Sequence, residues 1–323
     1  MGFLIRTSMS ALFPDRLLDA IDAKGSPICV GIDPIYELLP DAIAGDPSKR
    51  NANDHEAIID AVFSFTTRVL QIVAPHVPCV KFQSAYFEQW QWDGVESYYS
   101  LIGEASELGL LVIGDVKRGD IGSTAEAYAA GHLVAPPPAG SGPSEEVFMP
   151  DAITVNPFCG LDTIAPFVKT ARDFDKGLFV LVRTSNPGSG ELQDAKLDDG
   201  RTWTEMLADR LRPIAAADGL VGKHGFSAVG AVVGATQPQT MTSLRARLPQ
   251  SIFLLPGYGA QGATAEMTRA AFIDGRGAIV SASRSILYAH RQKKYADRFG
   301  SDWERCVEAA VLEMKADISG VIR

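Results

Sequence analysis

The sequence of residues 110–124 is LLVIGDVKRGDIGST, and the rest of the chain is arranged around it. Leu110 to Ile113 form a short apolar run, which is typical of a strand buried on both faces. Asp115 and Lys117 are two residues apart, so their side chains point to the same face of that strand, and Asp120 follows in the turn. Because burying a lone charge is costly, such groups are usually paired and often functional. A structural salt-bridge cluster is the alternative interpretation.

The composition of the chain is that of an ordinary globular protein. Its 323 residues are 46% hydrophobic and 21% charged, and the formal net charge is −9. An acidic chain is a poor general binder of nucleic acid, although a few local Lys and Arg residues can still hold a small anion. No apolar stretch is long enough to span a membrane, and the first residues lack the features of a signal peptide.

Cysteine and histidine usage indicates the compartment and the cofactors. The four cysteines form no C-x-x-C pair, and the five histidines show no metal-ligand spacing. We therefore expect a protein of the reducing cytoplasm with no disulfide framework and no bound metal.

Apolar runs and helical patterns alternate along the whole chain. The predicted strands are residues 28–34, 77–83, 110–117, 152–158, 178–185, 228–235, 252–255 and 277–282. The predicted helices that follow them are residues 54–73, 93–108, 122–133, 161–170, 202–217, 238–247, 264–273 and 302–317. Eight such units predict a (β/α)₈ TIM barrel, with residues 1–323 forming a single domain. An open doubly wound sheet has less support, because no G-x-G-x-x-G follows the first strand.

One segment interrupts this alternation. Residues 135–150, APPPAGSGPSEEVFMP, are rich in Pro, Gly and Ser. This composition predicts a surface insertion or a flexible loop.

Polar residues follow several of the predicted strands. In a barrel of this type the active site lies at the carboxyl ends of the strands. Asp33, Lys81, Asp115, Lys117 and Ser185 all lie at such ends. The barrel hypothesis therefore gathers residues from distant parts of the chain into one pocket.

The turns after the seventh and eighth strands have the features of a phosphate site. Residues 257–262 read GYGAQG, and glycines let the backbone approach an anion closely. Arg284 follows the eighth strand and can supply a forked cation. Barrels commonly bind phosphate between these two loops. The alternative is a glycine-rich turn beside a surface arginine.

The pattern D-x-K-x-x-D-I-x-x-T at residues 115–124 resembles the signature of the orotidine 5′-monophosphate decarboxylase family. The sequence KRGDIGSTA, which begins at Lys117, is similar to the longer-chain, type 2 branch of that family. Further motifs that resemble it come in the same order: GIDP at 31–34, KFQ at 81–83, TSNPG at 184–188, PGYGAQG at 256–262 and SRSI at 283–286. The resemblance implies a ribulose-phosphate-binding-like barrel that converts orotidine 5′-monophosphate to uridine 5′-monophosphate, the last step of de novo UMP synthesis, without a cofactor.

The resemblance also implies a role for each matching residue. Lys117 would give a proton to C6 of the pyrimidine after carbon dioxide leaves, and Asp115 would lie beside the substrate carboxylate. Asp120 would act in the neighbouring subunit's site of a homodimer. The other implied substrate contacts are Asp33 and Lys81 at the ribose, Ile121 and Thr124 at the cross-subunit edge, Ser185 at the base, and Gln261 and Arg284 at the phosphate.

Two other functions compete with this one. The magnesium-dependent sugar-phosphate decarboxylases and aldolases share the barrel and a D-x-K-x-x-D strand, but that resemblance implies an acid at the end of the second strand. Here that place has Lys81, a cation, which disfavours a divalent ion. The second rival is a catalytically silent barrel that senses a nucleotide. The complete set Asp115, Lys117 and Asp120 argues against it, since binding alone does not need opposed charges.

Overall fold

Strands that alternate with helices close into a barrel in this protein. The computed structural model describes residues 11–51, 54–136, 147–259 and 262–322. In this part of the chain eight parallel strands follow one another in chain order, and pairing of the first with the last closes the barrel. The strands are β1 (Ile28–Ile32), β2 (Cys79–Gln83), β3 (Leu111–Arg118), β4 (Ala152–Val155), β5 (Gly177–Arg183), β6 (Ser227–Val233), β7 (Ser251–Leu255) and β8 (Ala278–Ala282). The predicted (β/α)₈ barrel is confirmed.

Helices surround the barrel and connect its strands. Those of the described residues are α1 (Phe13–Lys24), α2 (Asp41–Ala44), α3 (His55–Val73), α4 (Ala85–Glu88), α5 (Gln91–Glu107), α6 (Gly122–Leu133), α7 (Ala165–Asp173), α8 (Ser189–Gln193), α9 (Trp203–Ala215), α10 (Pro238–Arg247), α11 (Ala265–Thr268), α12 (Arg284–Leu287), α13 (Lys293–Phe299) and α14 (Trp303–Ile322). Several predicted elements were longer than the observed ones, and two of them show why. The helix predicted at 264–273 is the short α11 followed by a 3₁₀ turn, Arg269–Ala271. The strand predicted at 152–158 ends at Val155, two residues before a proline that has no N–H for the ladder.

Successive side chains along each strand point to opposite faces of the sheet, and this alternation divides the core into two layers. Ile28 and Val30 on β1 belong to the layer between the strands and the helices. Cys29 lies between them in sequence and points into the barrel, where it joins Cys79 and Ile113. Side chains two residues further along the same strands therefore also point inward, toward the carboxyl end.

Helix α1 closes the amino-terminal end of the barrel. The ring of Phe13 lies 6.1 Å from that of Phe179 in an edge-to-face arrangement. A Cβ at Gly177 would come within 2.2 Å of the Phe13 ring, so this position at the start of β5 requires glycine. The carboxylate of Asp15 accepts hydrogen bonds from the backbone N–H groups of Lys223 and His224. With this end filled, the open face is the one at the carboxyl ends of the strands.

Two predictions concern residues that the structure covers in part. The insertion predicted at 135–150 falls mostly on residues 137–146, which lie outside the described residues. The assignment of residues 1–323 to one domain stays a prediction. Among the described helices, none has the length and apolar character that crossing a bilayer requires.

Candidate active site

Four charged side chains of alternating sign form a connected array at the open face. Lys81 Nζ lies 2.7 Å from Asp115 Oδ2 and 4.0 Å from Asp33 Oδ1. Lys117 Nζ lies 2.6 Å from Asp115 Oδ1. We call these four residues, Asp33, Lys81, Asp115 and Lys117, the charge array. It unites four residues that the sequence placed at three strand ends.

The register of the first three strands explains this arrangement. Lys81 on β2 pairs with Gly31 on β1 and with Ile113 on β3, and Gln83 pairs with Asp115. Lys81 and Asp115 each lie two residues beyond an inward-pointing side chain, so both point into the barrel. They are therefore close in space, and Gln83 Nε2 also donates to Asp115 Oδ2 at 3.1 Å.

Burial and charge act in opposite directions on this array. Asp115 and Lys81 are each 7% exposed, and burial alone penalises both charged forms. For Asp115, burial works to raise the pKa, but the ammonium groups of Lys81 and Lys117 outweigh it and hold the pKa well below its usual range. For Lys81, burial works to lower the pKa, but Asp115 and Asp33 outweigh it and the pKa is raised. Both groups are thus charged at neutral pH.

Lys117 has an uncommon backbone conformation. Its φ is +46°, in the left-handed region that residues other than glycine rarely adopt. The pairing of β3 with β4 also shifts register between Gly114 and Arg118. Such bulges are often found next to active sites, where they redirect a side chain. Here the Lys117 side chain is 45% exposed, and its ammonium group reaches both Asp115 and the open face.

Thr154 of β4 contacts the array and was missed by the sequence reasoning. Its Oγ1 accepts a hydrogen bond from the Lys117 backbone N–H and donates one to Asp115 Oδ1, each at 2.9 Å. A polar residue within the apolar sequence AITV was the available signal.

An open cavity of about 100 Å³ extends from the array toward the β7 and β8 turns. Asp33, Lys81, Gly257, Ser283 and Arg284 line it. Two buried atoms at this cavity, Asp33 Oδ1 and Ser283 Oγ, have no hydrogen-bond partner in the described protein. Ser283 belongs to the SRSI motif at 283–286, but no role was predicted for it from the sequence. Unsatisfied polar atoms beside an exposed arginine suit a polar, anionic ligand.

Gln261, the other residue predicted to hold phosphate, lies outside the described residues.

Ser185 lies just beyond β5, in a loop that a buried arginine holds. Arg183 is 2% exposed, and it donates to Thr184 O at 2.8 Å and to Asp194 Oδ2 at 2.9 Å. A Cβ on Gly234, which follows β6, would lie 3.1 Å from Ser185. The loop is therefore fixed beside the barrel mouth. Arg183 was another residue that the sequence reasoning did not identify.

Asp120, Ile121 and Thr124 lie on the rim, outside the charge array. Asp120 Oδ1 accepts a hydrogen bond from the Ile121 N–H at 2.8 Å. In the described part of the chain, Asp120 has no ion pair with Lys81 or Lys117. Asp120 is half-buried, whereas Ile121 and Thr124 are exposed, Ile121 by 64%. Within one subunit, the rim residues and the array are thus separate groups.

Comparison with known proteins agrees with this geometry. The model of the orotidine 5′-phosphate decarboxylase / HUMPS family matches residues 26–299. The chain belongs to this family. The orotidine 5′-phosphate decarboxylase of Rhodopirellula baltica is a relative with 39% identity over 95% of this chain and 99% of its own. The one from Caldicellulosiruptor bescii is 38% identical over 96% and 99%. The family resemblance predicted from the sequence is confirmed.

Solved structures of the family share the fold. The structure of Leishmania donovani OMP decarboxylase superimposes with a TM-score of 0.70 at 27% identity. The alignment covers 96% of this chain and 98% of that one. The barrel fold is therefore shared over nearly the whole chain.

Proposed function

We propose that this protein decarboxylates orotidine 5′-monophosphate to uridine 5′-monophosphate, without a metal or organic cofactor. The observation that carries the proposal is the charge array, in which the ammonium of Lys117 is held 2.6 Å from Asp115 at the open face of a barrel of this family. The family relatives named orotidine 5′-phosphate decarboxylase support it.

The residue types suit the chemistry of this reaction. The bond between C6 and the carboxyl carbon breaks, carbon dioxide leaves, and the electron pair stays on C6 as a vinylic carbanion. No adjacent carbonyl delocalises that pair, so a fixed ammonium is needed to stabilise it. Lys117 provides this charge and then transfers a proton from Nζ to C6, after which solvent reprotonates the lysine.

Asp115 has two roles in the proposal. Its carboxylate holds the Lys117 ammonium, and its lowered pKa keeps it negative beside the substrate carboxylate. Two carboxylates repel each other before the reaction, and the repulsion disappears when carbon dioxide leaves. Binding energy from the distant phosphate can hold the substrate there.

The remaining contacts extend from the array toward the phosphate. Asp33 and Lys81 line the cavity beside Arg284, so we propose that they bind the ribose hydroxyls while Arg284 and Gln261 hold the phosphate. Ser185 at the barrel mouth would read the base. Asp33 Oδ1 accepts no hydrogen bond from the described residues, which supports a ribose contact, because a hydroxyl would donate one to it.

We further propose that the protein is a homodimer in which Asp120 completes the partner's site. Exposed apolar side chains at the rim support an interface, since Ile121 is 64% and Phe158 is 68% exposed. Thr124 would lie at the same edge. Because the reaction needs no secreted or membrane environment and the four cysteines are free thiols, we place the enzyme in the cytoplasm.

The magnesium-dependent rivals fit the array less well. Lys81 Nζ lies between Asp33 and Asp115, so an ammonium occupies the position where a divalent ion would need to bridge the carboxylates.

A turnover experiment tests the proposed function directly. Purified protein is mixed with orotidine 5′-monophosphate and a chelator, and the product is identified by NMR. We expect uridine 5′-monophosphate. An absence of turnover, together with decarboxylation of a sugar phosphate when magnesium is added, would replace the proposal with the rival; binding without any turnover would favour a nucleotide sensor.

The shared site has its own test. Lys117→Ala and Asp120→Ala variants are each expected to be nearly inactive. After subunit exchange in an equal mixture, half of the dimers are mixed, and each mixed dimer has one site with both native residues. We expect about a quarter of the wild-type activity to return, by the symmetry of a two-fold dimer. No recovery after verified exchange would place Asp120 in its own subunit's site.

A further inference from the structure

We infer that Thr154 is a positioning residue that sets both the backbone and the ammonium group of Lys117. The inference rests on the proposed function, because it concerns the group that donates the proton. Thr154 is 1% exposed and lies on β4, whose preceding inward residue, Ala152, belongs to the barrel interior. Its hydroxyl makes two hydrogen bonds of 2.9 Å, from the Lys117 N–H and to Asp115 Oδ1.

The bulge in β3 explains why a hydroxyl is needed at this place. Gly114 pairs with Ile153 and Arg118 pairs with Val155, so three residues of β3 lie opposite the single residue Thr154. The regular ladder cannot satisfy the N–H groups of three residues with one carbonyl. The Thr154 side chain supplies the missing acceptor for Lys117. It thereby stabilises the φ of +46° that directs this lysine toward the open face.

The second hydrogen bond fixes the carboxylate that holds the ammonium. Asp115 Oδ1 accepts from both Thr154 Oγ1 and Lys117 Nζ, while Oδ2 accepts from Lys81 Nζ. Rotation of the carboxylate would break contacts on both sides. One hydroxyl therefore links the backbone of Lys117 to the group that positions its side chain. A residue that only donates or only accepts cannot replace it.

Substitution at position 154 separates this role from simple packing. Thr154→Val keeps the shape and removes both hydrogen bonds, whereas Thr154→Ser keeps the hydroxyl. Because small misplacement of a catalytic group can cost about 100-fold in rate, we expect Thr154→Val to lower kcat by roughly 30- to 100-fold. The Kd for uridine 5′-monophosphate should change by less than about threefold, since ground-state contacts remain. Thr154→Ser should recover most of kcat.

A matched control is available in α3. Thr66 is also 1% exposed, and its Oγ1 has no hydrogen-bond partner among the described residues. Thr66→Val should leave kcat unchanged. If Thr154→Val does not fold, Thr154→Ala can replace it. Thr154→Ala also lacks the hydroxyl, and its kcat is then compared with that of Thr154→Ser.

The outcomes distinguish the inference from the proposed function. Wild-type protein that does not decarboxylate orotidine 5′-monophosphate would refute the function itself. Active wild type together with a Thr154→Val variant of unchanged kcat would refute only the positioning role. A variant that loses nucleotide affinity and kcat equally, without recovery by serine, would also refute it, because it would indicate a packing defect.

Discussion

Replacing Lys81 by methionine tests how strongly the charge array holds the barrel together. The change removes an ammonium 2.7 Å from Asp115 Oδ2, and both side chains are 9% exposed. With an effective dielectric constant of about 20, two charges at this distance attract by about 6 kcal/mol. Because removing one partner leaves the other buried and less compensated, Lys81→Met should lower the free energy of unfolding by about 3–5 kcal/mol at pH 7.

The pH dependence of this effect has a definite sign. The pKa of Asp115 is lowered in the folded protein from its ordinary value of 3.8. Its stabilising contribution is therefore present above pH 3.8 and is lost as the pH falls through the folded pKa. We expect the difference between wild type and Lys81→Met to be largest near neutral pH and to shrink below about pH 4, once carboxylates protonate.

The assay is a double-mutant cycle by urea denaturation, with Lys81→Met, Asp115→Asn and the double variant. We expect a coupling energy of at least about 2 kcal/mol, as for contacting buried groups. Arg68 and Glu304 form an exposed pair at 2.8 Å and serve as the control, where Arg68→Met should cost less than about 1 kcal/mol. If the losses in unfolding free energy for Lys81→Met and Asp115→Asn add within about 0.5 kcal/mol, the two charges do not stabilise each other.

Two further predictions concern His132 and Arg284. Burial, with the charge of Arg118, lowers the pKa of His132 from 6.5 to about 4, so the unfolded chain binds more protons between these values and stability rises with pH there. From pH 7 to pH 5, the free energy of unfolding, measured by urea denaturation, should fall by about 2 kcal/mol more for wild type than for His132→Gln. Equal decreases in the two proteins would show that the pKa of His132 is not lowered. Arg284→Ala should weaken uridine 5′-monophosphate binding by about 10- to 100-fold, the usual range for a charged hydrogen bond. Uridine, which lacks the phosphate, should bind both proteins equally by calorimetry; a matching loss for uridine would show that Arg284 does not bind phosphate.

The barrel was predictable because its signals are local. Apolar runs bounded by turn residues predicted all eight strands, and helical spacing predicted α6 and α10 with the bounds that the structure shows. The helix predicted at 264–273 failed because apolar spacing does not reveal where a chain switches to a 3₁₀ turn. Local patterns predict which elements exist better than where they end.

The charge array was predictable only in part. Strand ends predicted that Asp33, Lys81, Asp115 and Lys117 would share one face. The bond from Lys81 to Asp115 depends on the register of β2 with β3, which no single segment encodes. The positive φ of Lys117 is a conformation that lysine rarely adopts. It persists because the bulge and the surrounding contacts stabilise it, and these are not visible in the local sequence. The role of Thr154 was also not predictable from its own segment, because it depends on the bulge in the neighbouring strand β3.

The proposed function depends on Lys117 as the proton donor in a cofactor-free decarboxylation. Its most direct test is the turnover of orotidine 5′-monophosphate, followed by ultraviolet absorbance with a chelator present, for wild type and for Lys117→Ala. Circular dichroism shows whether both proteins are folded. We predict turnover by wild type and a loss of at least about 1,000-fold in the variant, since it lacks both the general acid and the fixed charge. Turnover that persists in folded Lys117→Ala would contradict the account, even if the substrate is correct.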